Sequence, residues 1–230
     1  MMRLYGFFLL LAFASCDCSA AWGYFCTKEG NVLHYVRRIA GTGSVKWHHT
    51  MTINKVTAGP DGGLRISYNS DFKKGNGRQM YGGAVYMQAD VSENGDVSLD
   101  MSETLRAVFL NIFKGTDVVC DGGVTTLPRA MVPGDVLPDI ESRVRYGRLE
   151  YRMSVSARKV AGYDTLRIPA GVFPCVVVSE HKEERTLGYN RVTNARTWYC
   201  DGIGMVRHDT YDRNMRLETS EVLDKIEDNK

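Results

Sequence analysis

The stretch "GRLEYRMSVSARKV", Gly147 to Val160, sets an apolar residue at every second position: Leu149, Tyr151, Met153, Val155 and Ala157. A period of two belongs to a strand with one face on a core and the other in water, and it predicts an antiparallel sheet. An amphipathic helix would need apolar residues three and four apart. The same pattern continues on both sides. Upstream, "NVLHYVRRI" and "VKWHHTMTINKV" flank "AGTG", a hairpin signal. "LRISYNSDF" and "RQMYGGAVYMQADV" follow, and Asn94-Gly95 suits a tight turn into "VSLDM". Downstream come "VFPCVVVSEH", "RTWYC", "MVRHDTYD" and "MRLETSEVLDKI", the last two joined around Arg213-Asn214. Short turns between neighbouring strands imply a mainly β fold, a meander whose curled antiparallel sheet forms a sandwich or an open or closed β-barrel.

One segment departs from this pattern. "DMSETLRAVFLNIFKG" carries Leu105, Val108, Phe109 and Ile112 at helical spacing, with Asp100 and Glu103 as a capping box and Gly115 as a stop. It predicts one α-helix near residues 101–114. Either the helix packs on the sheet or plugs the barrel mouth, or those four side chains line a lipid-sized cavity beneath a lid. The three prolines of "LPRAMVPGDVLPDIE" then read as an extended surface crossing. Neither half has enough strands to cover its own core, so residues 22–230 read as one domain.

At 230 residues the chain is long enough to bury a core without metal or cofactor. Its net charge is +2, from 29 Lys and Arg against 27 Asp and Glu, with the signs interspersed. Nucleic-acid binders concentrate positive charge, so no nucleic-acid partner is expected. The N-terminus places Arg3 before an apolar run from Leu4 to Ala14, too short to span a bilayer and right for a signal-peptide core. Residues 1–21 therefore read as a signal peptide. Phe13-Ala14-Ser15-Cys16 is similar to a lipobox that would lipidate Cys16, and Ser19-Ala20-Ala21 to an ordinary cleavage site. Both routes export the chain, and a membrane enters only through a lipid on Cys16.

Export permits disulfides among Cys26, Cys120, Cys175 and Cys200. Four cysteines allow three pairings. A hairpin turning at Leu187-Gly188 pairs positions summing to 375, which would set Cys175 opposite Cys200; a turn in "NRVTN" would break that register. No reactive constellation is visible. His48 and His49 are adjacent in a strand and point to opposite faces; His34, His181 and His208 are scattered. Asp90, Ser92, Asn94, Gly95 and Asp96 are similar to a calcium loop, but Met101 stands where its acidic twelfth residue belongs. Neither G-x-S-x-G nor a P-loop occurs. Cys175 lies in the apolar run "VFPCVVV", which holds a thiol protonated, and no base accompanies it. The charge run "EHKEER", Glu180 to Arg185, reads as a solvated strand end. Trp198 and Tyr199 face opposite ways, which puts one inside and the other towards solvent. No catalytic residue, cofactor or metal site is expected.

Four stretches together carry a resemblance: "YFCTKEGNVLHYVRR", "LPRAMVPGDVLPD", "ARKVAGYDTLRIPAGVFPCVVV" and "TWYCDGIGMVRHDTYDRNMRLETSEVLDKI". In this order, from Tyr24 to Ile226, they resemble the TapB-type family of exported bacterial proteins, a 3108-like domain of unknown function. Cys175 matches a family cysteine. Cys26 and Cys200 stand where the family shows proline and alanine, and Cys120 also departs from it, which implies added disulfides among these three. The family offers no active site to transfer. The resemblance implies a curled β architecture similar to the open-barrel lipoprotein carriers, in the periplasm or anchored to the outer membrane of a Gram-negative bacterium. The expected function is non-enzymatic binding of a lipid, another apolar small molecule or an envelope protein partner; the alternative is a scaffolding module of the envelope.

Overall fold

The computed structural model describes residues 23–59, 62–113 and 118–228. The expected signal peptide, Cys16 and the helix stop at Gly115 lie outside these residues. Among the described residues thirteen strands and one helix follow in order: β1 (Asn31–Ile39), β2 (Val45–Ala58), β3 (Leu64–Lys74), β4 (Val85–Val91), β5 (Val97–Asp100), α1 (Met101–Phe113), β6 (Val119–Gly122), β7 (Val124–Leu127), β8 (Ile140–Tyr146), β9 (Leu149–Ile168), β10 (Gly171–Thr186), β11 (Tyr189–Cys200), β12 (Gly204–Asp212) and β13 (Leu217–Asp228). They form one sheet in the order β6-β8-β9-β10-β11-β12-β13-β1-β2-β3-β4-β5-β7, each neighbouring pair antiparallel. The expected curled antiparallel sheet with one helix is this fold.

The sheet comes close to closing into a barrel. Its edge strands β6 and β7 are consecutive in the chain, separated by Gly123 alone, so one short segment bonds β8 with its first half and β5 with its second. Helix α1 lies along this seam and touches both sides. Asp100 caps it, its Oδ1 accepting from the backbone N–H of Ser102 (2.8 Å) and of Glu103 (3.2 Å). Gly122 lets the helix start come close: a Cβ there would stand 3.2 Å from the Cβ of Ser102 and 3.0 Å from Ser142 Oγ. At the other end the N-terminal segment docks on two turns. Gly202 N–H donates to Gly23 O at 2.7 Å, and a Cβ on Gly23, whose φ is +74°, would stand 2.0 Å from Gly95 O.

The core is divided along the barrel. Leu33, Tyr35, Ile53, Ile66, Val91, Val97, Val178, Val206 and Leu223 fill one part of it with fully buried side chains. Phe25, Met131 and Leu137, from the N-terminal segment and the crossing at residues 128–139, join this core. Each such side chain contributes roughly 1.5–3 kcal/mol by leaving water. A smaller cluster of Ile140, Met153 and Val155 receives Met101 and Leu105 of the helix.

The alternation read in "GRLEYRMSVSARKV" holds through Met153 and Val155 and then shifts. Ala157 has a φ of +50° at a bulge where the β9–β10 register slips, leaving Ala157 exposed and burying Arg158. Trp198 and Tyr199 do occupy opposite faces, yet both are covered. Trp198, 8% exposed with the Arg207 guanidinium 4.8 Å over its ring, is itself part of the main core, and partly buried Tyr199 packs against that core.

Candidate binding site

Three places gather side chains able to bind or react. The first is the polar part of the barrel interior. His49 is stacked between Phe72 (4.1 Å, 8°) and Tyr35 (5.1 Å, 18°). Its Nδ1 lies 3.3 Å from Glu221 Oε1, and its Nε2 lies 3.1 Å from Ser70 Oγ. Arg37 reaches the other oxygen of Glu221 at 3.2 Å, donates from Nε to Thr219 at 2.9 Å and donates from Nη2 to Thr210. Burial alone would raise the Glu221 pKa. The His49 hydrogen bond and the charges of His49 and Arg37 outweigh burial and hold it below the usual carboxylate value. His208, bonded to Thr197 at 2.8 Å, is pushed down to about 4 by burial and then by Arg37. Neither group is poised near neutral pH, where a general base would titrate.

The charge run expected in solvent is split between the two faces. Glu180, Lys182 and Glu184 share the parity of Val176 and Val178. Glu180 lies 3.6 Å from Arg158, and burial raises its pKa in spite of that partner. Glu184 accepts from the Tyr151 hydroxyl at 2.7 Å and pairs with Lys182 at 3.2 Å. The sequence held this signal, because a charge two or four residues from a buried valine in one strand shares its face.

The second place is a groove of about 610 Å³ between α1 and the sheet, bordered by Arg65, Tyr86, Met87, Glu103, Ala107 and Leu110. The four helix residues expected to line a ligand cavity are not among its walls. Leu105 packs on Ile140, Met153 and Val155; the Phe109 ring lies 5.8 Å from Tyr151; Val108 is half-buried and Ile112 is 45% exposed. The groove uses the opposite side of the helix. Helical spacing could not decide between the sides, because Leu110 makes the outer one apolar as well.

The third place is a cleft of about 630 Å³ beside the docked N-terminal segment, walled by Tyr24, Tyr163 and Tyr199 with Pro174, Cys175 and Val176. Tyr163 is 64% exposed and its hydroxyl donates to Met131 O at 3.2 Å, which sets exposed Val132 next to it; exposed Val172 lies two residues before Pro174. The acids at the cleft are already engaged: Asp164 accepts from Trp198 Nε1 at 2.9 Å, and Asp201 pairs with Arg129.

The β10–β11 hairpin turns at Leu187-Gly188, with pairs from Thr186↔Tyr189 to Val176↔Tyr199. This is the register that sums to 375, and Cys175 and Cys200 follow at the next position. The expected bridge is nevertheless not formed: Cys26, Cys120, Cys175 and Cys200 are all free thiols. Each of the two hairpin thiols turns to its own strand's backbone, Cys175 Sγ to Phe173 O at 3.3 Å and Cys200 Sγ to Asp201 O at 3.6 Å. Cys26 instead accepts a contact from Asn31 Nδ2 at 3.7 Å. Burial, with Cys200 next, pushes Cys175 up to about 12; burial, with Asp201 next, pushes Cys200 to about 11. Among the described residues no group of three or more His, Cys, Asp or Glu is placed to hold a metal ion.

The class defined by this architecture is an antiparallel β-barrel whose seam is covered by a single helix. The chain belongs to the DUF3108-like family, which it matches over residues 36–223. It is similar to a Bacteroides fragilis protein described as exported, with a YmcC-like fold, at 23% identity and a TM-score of 0.73, covering 90% of this chain and 100% of that one. A Parabacteroides distasonis protein described as a lipoprotein gives 19% identity and a TM-score of 0.74, covering 90% and 99%. At these identities the likeness shows the fold. No curated protein matches the chain significantly in sequence.

Proposed function

We propose that this protein is exported to the bacterial envelope, where it binds the acyl part of a lipid at the tyrosine-walled cleft and performs no chemistry. The observation that carries this reading is the cleft itself. It lies where the N-terminal segment docks, exposed Tyr163 forms part of its wall, and exposed Val132 and Val172 follow in sequence, Val132 directly after Met131, whose carbonyl takes the Tyr163 hydroxyl, and Val172 two residues before the lining residue Pro174. A lipid on Cys16 would be tethered by at most about 24 Å of extended chain to Gly23, at the ~3.4 Å per residue a chain can span. The leader-like N-terminus supports export, as do the two structural relatives described as an exported protein and a lipoprotein. The high thiol pKa values and a His208 held neutral support a binding role over catalysis.

A packed interior favours a second reading, an envelope scaffold, since the apolar part of the barrel is filled by its own side chains. Flotation of the mature, unlipidated protein with phosphatidylethanolamine–phosphatidylglycerol vesicles separates the two. Co-flotation that Tyr163→Asp and Val172→Asp reduce at least tenfold supports lipid binding. No flotation, together with a protein adduct from a photo-crosslinker at Val172 in the native envelope, would overturn it in favour of the scaffold.

A further inference from the structure

The outward face of the sheet carries a second site near the opposite ends of β9 and β10. Arg143 on β8 pairs directly with Arg152 on β9, which pairs directly with Arg185 on β10. Three arginines thus stand side by side across three strands, bounded by Asp121 on β6 and Asn190 on β11. Like charges directly opposite one another destabilise a sheet, so the row is costly unless something negative lies over it. The acids nearby answer it incompletely. Asp121 is held by Arg145 at 2.9 Å, Glu150 by Arg152, and Glu183 by Arg185 at 2.6 Å, while Glu141 is exposed. Arg143 stands opposite Asp121 and its charge acts on Glu150, but it forms no direct hydrogen bond or ion pair with any described residue. These pairs are exposed and exchange readily with an incoming anion. Above the row lies a groove of about 510 Å³ whose walls include Asp121, Glu141, Arg143, Arg152, Glu183 and Arg185.

We infer that this groove binds a phosphomonoester or diphosphate group through Arg143, Arg152 and Arg185. The guanidinium fork matches phosphate oxygens two at a time, and three adjacent forks suit a group carrying two or more negative charges. Such a group occurs on soluble metabolites and on phosphorylated lipid headgroups. The site is independent of the tyrosine cleft and stands whether or not that cleft takes lipid.

Inorganic pyrophosphate is the soluble probe and phosphatidic acid vesicles are the lipid probe. In isothermal titration the wild-type protein is expected to bind pyrophosphate saturably. Arg143→Gln and Arg185→Gln should each weaken binding at least tenfold, and Lys55→Gln, exposed on β2 five strands away from β10, less than twofold. Thermal melting gives a second readout. Without ligand, Arg143→Gln should melt at or above the wild-type temperature because a repulsion is relieved. Pyrophosphate should raise the wild-type melting temperature and leave that of Arg143→Gln unchanged. Saturable binding to phosphatidic acid vesicles but not to pyrophosphate would assign the site to a headgroup. Absence of saturable binding to both probes, or equal weakening by Lys55→Gln, overturns the inference.

Discussion

His208 is neutral in the folded barrel down to a pKa of about 4, whereas in an unfolded chain it titrates near 6.5. Between these values the unfolded state binds a proton that the folded state refuses, so stability must fall as pH drops from about 6.5 to about 4. The contribution is on the order of 3 kcal/mol. The charges facing His208 are Arg37 and Lys182, which oppose its protonation, and Glu221 and Asp209, which favour it. Urea denaturation of His208→Gln across this window is expected to show a flatter pH dependence than wild type; an unchanged slope would mean that His208 is not the group responsible. Glu221 acts lower down. Its depressed pKa stabilises the fold above the unfolded carboxylate value, and this contribution is lost as pH falls through the folded one. Cysteine reactivity follows the same physics. Cys175 is expected to resist iodoacetamide at pH 8 in the native protein, with half-buried Cys120 reacting first, as peptide mapping by mass spectrometry would show. At this scale the sequence was legible wherever parity alone decided, as at His48 and His49. It failed at Ala157, because a bulge is a backbone event set by the neighbouring strand, and at Trp198, whose cover is Arg207 from a different strand.

Helix α1 could be read from its periodicity almost to the residue, Met101–Phe113 against the expected 101–114. Its cap was also visible, since Asp100 stands where an N-cap must, although only the Asp100 half of the capping box is used. Asp100→Ala is expected to cost about 0.5–2 kcal/mol of stability, measured by urea denaturation. Because the helix covers the seam, the loss should appear first as faster amide exchange in β6 and β7, each only four residues long. Uniform acceleration through β1 and β13 as well would show that the seam does not open on its own. What periodicity could not give is the helix's partner. "VVCDGGVTTL" has no alternation to mark two strands, and its role emerges only when β5 and β8 are brought to either side of it.

Over the whole molecule, the meander of adjacent hairpins was legible because each pairing is local. The pairing that joins the two halves is not local. β1 lies between β2 and β13, so the first and last strands of the chain are neighbours, in register from Asn31↔Asp228 to Ile39↔Thr219. No local pattern announces a contact across nearly the whole chain. Its consequences are nonetheless specific. β13 brings Leu223 to the apolar core and Glu221 to Arg37 and His49, and it supplies the ladder on which both β12 and β1 rest. Removing residues 217–230 would leave two strand edges bare, expose Val206 and Leu33, and strand the Arg37 charge in the interior without its carboxylate. Loss of one member of a buried pair alone costs roughly 3–5 kcal/mol, a large share of the 5–15 kcal/mol that holds a domain together. The truncated chain is therefore expected to lack a cooperative thermal transition by circular dichroism and to be cut by trypsin throughout. Supplying residues 217–230 as a separate peptide should restore protease resistance, because the register is written in the side chains and not in the connecting turn at Arg213-Asn214. A truncated protein that melts cooperatively unaided would mean that the remaining strands close on themselves, and that β13 is an addition to the barrel and not its keystone.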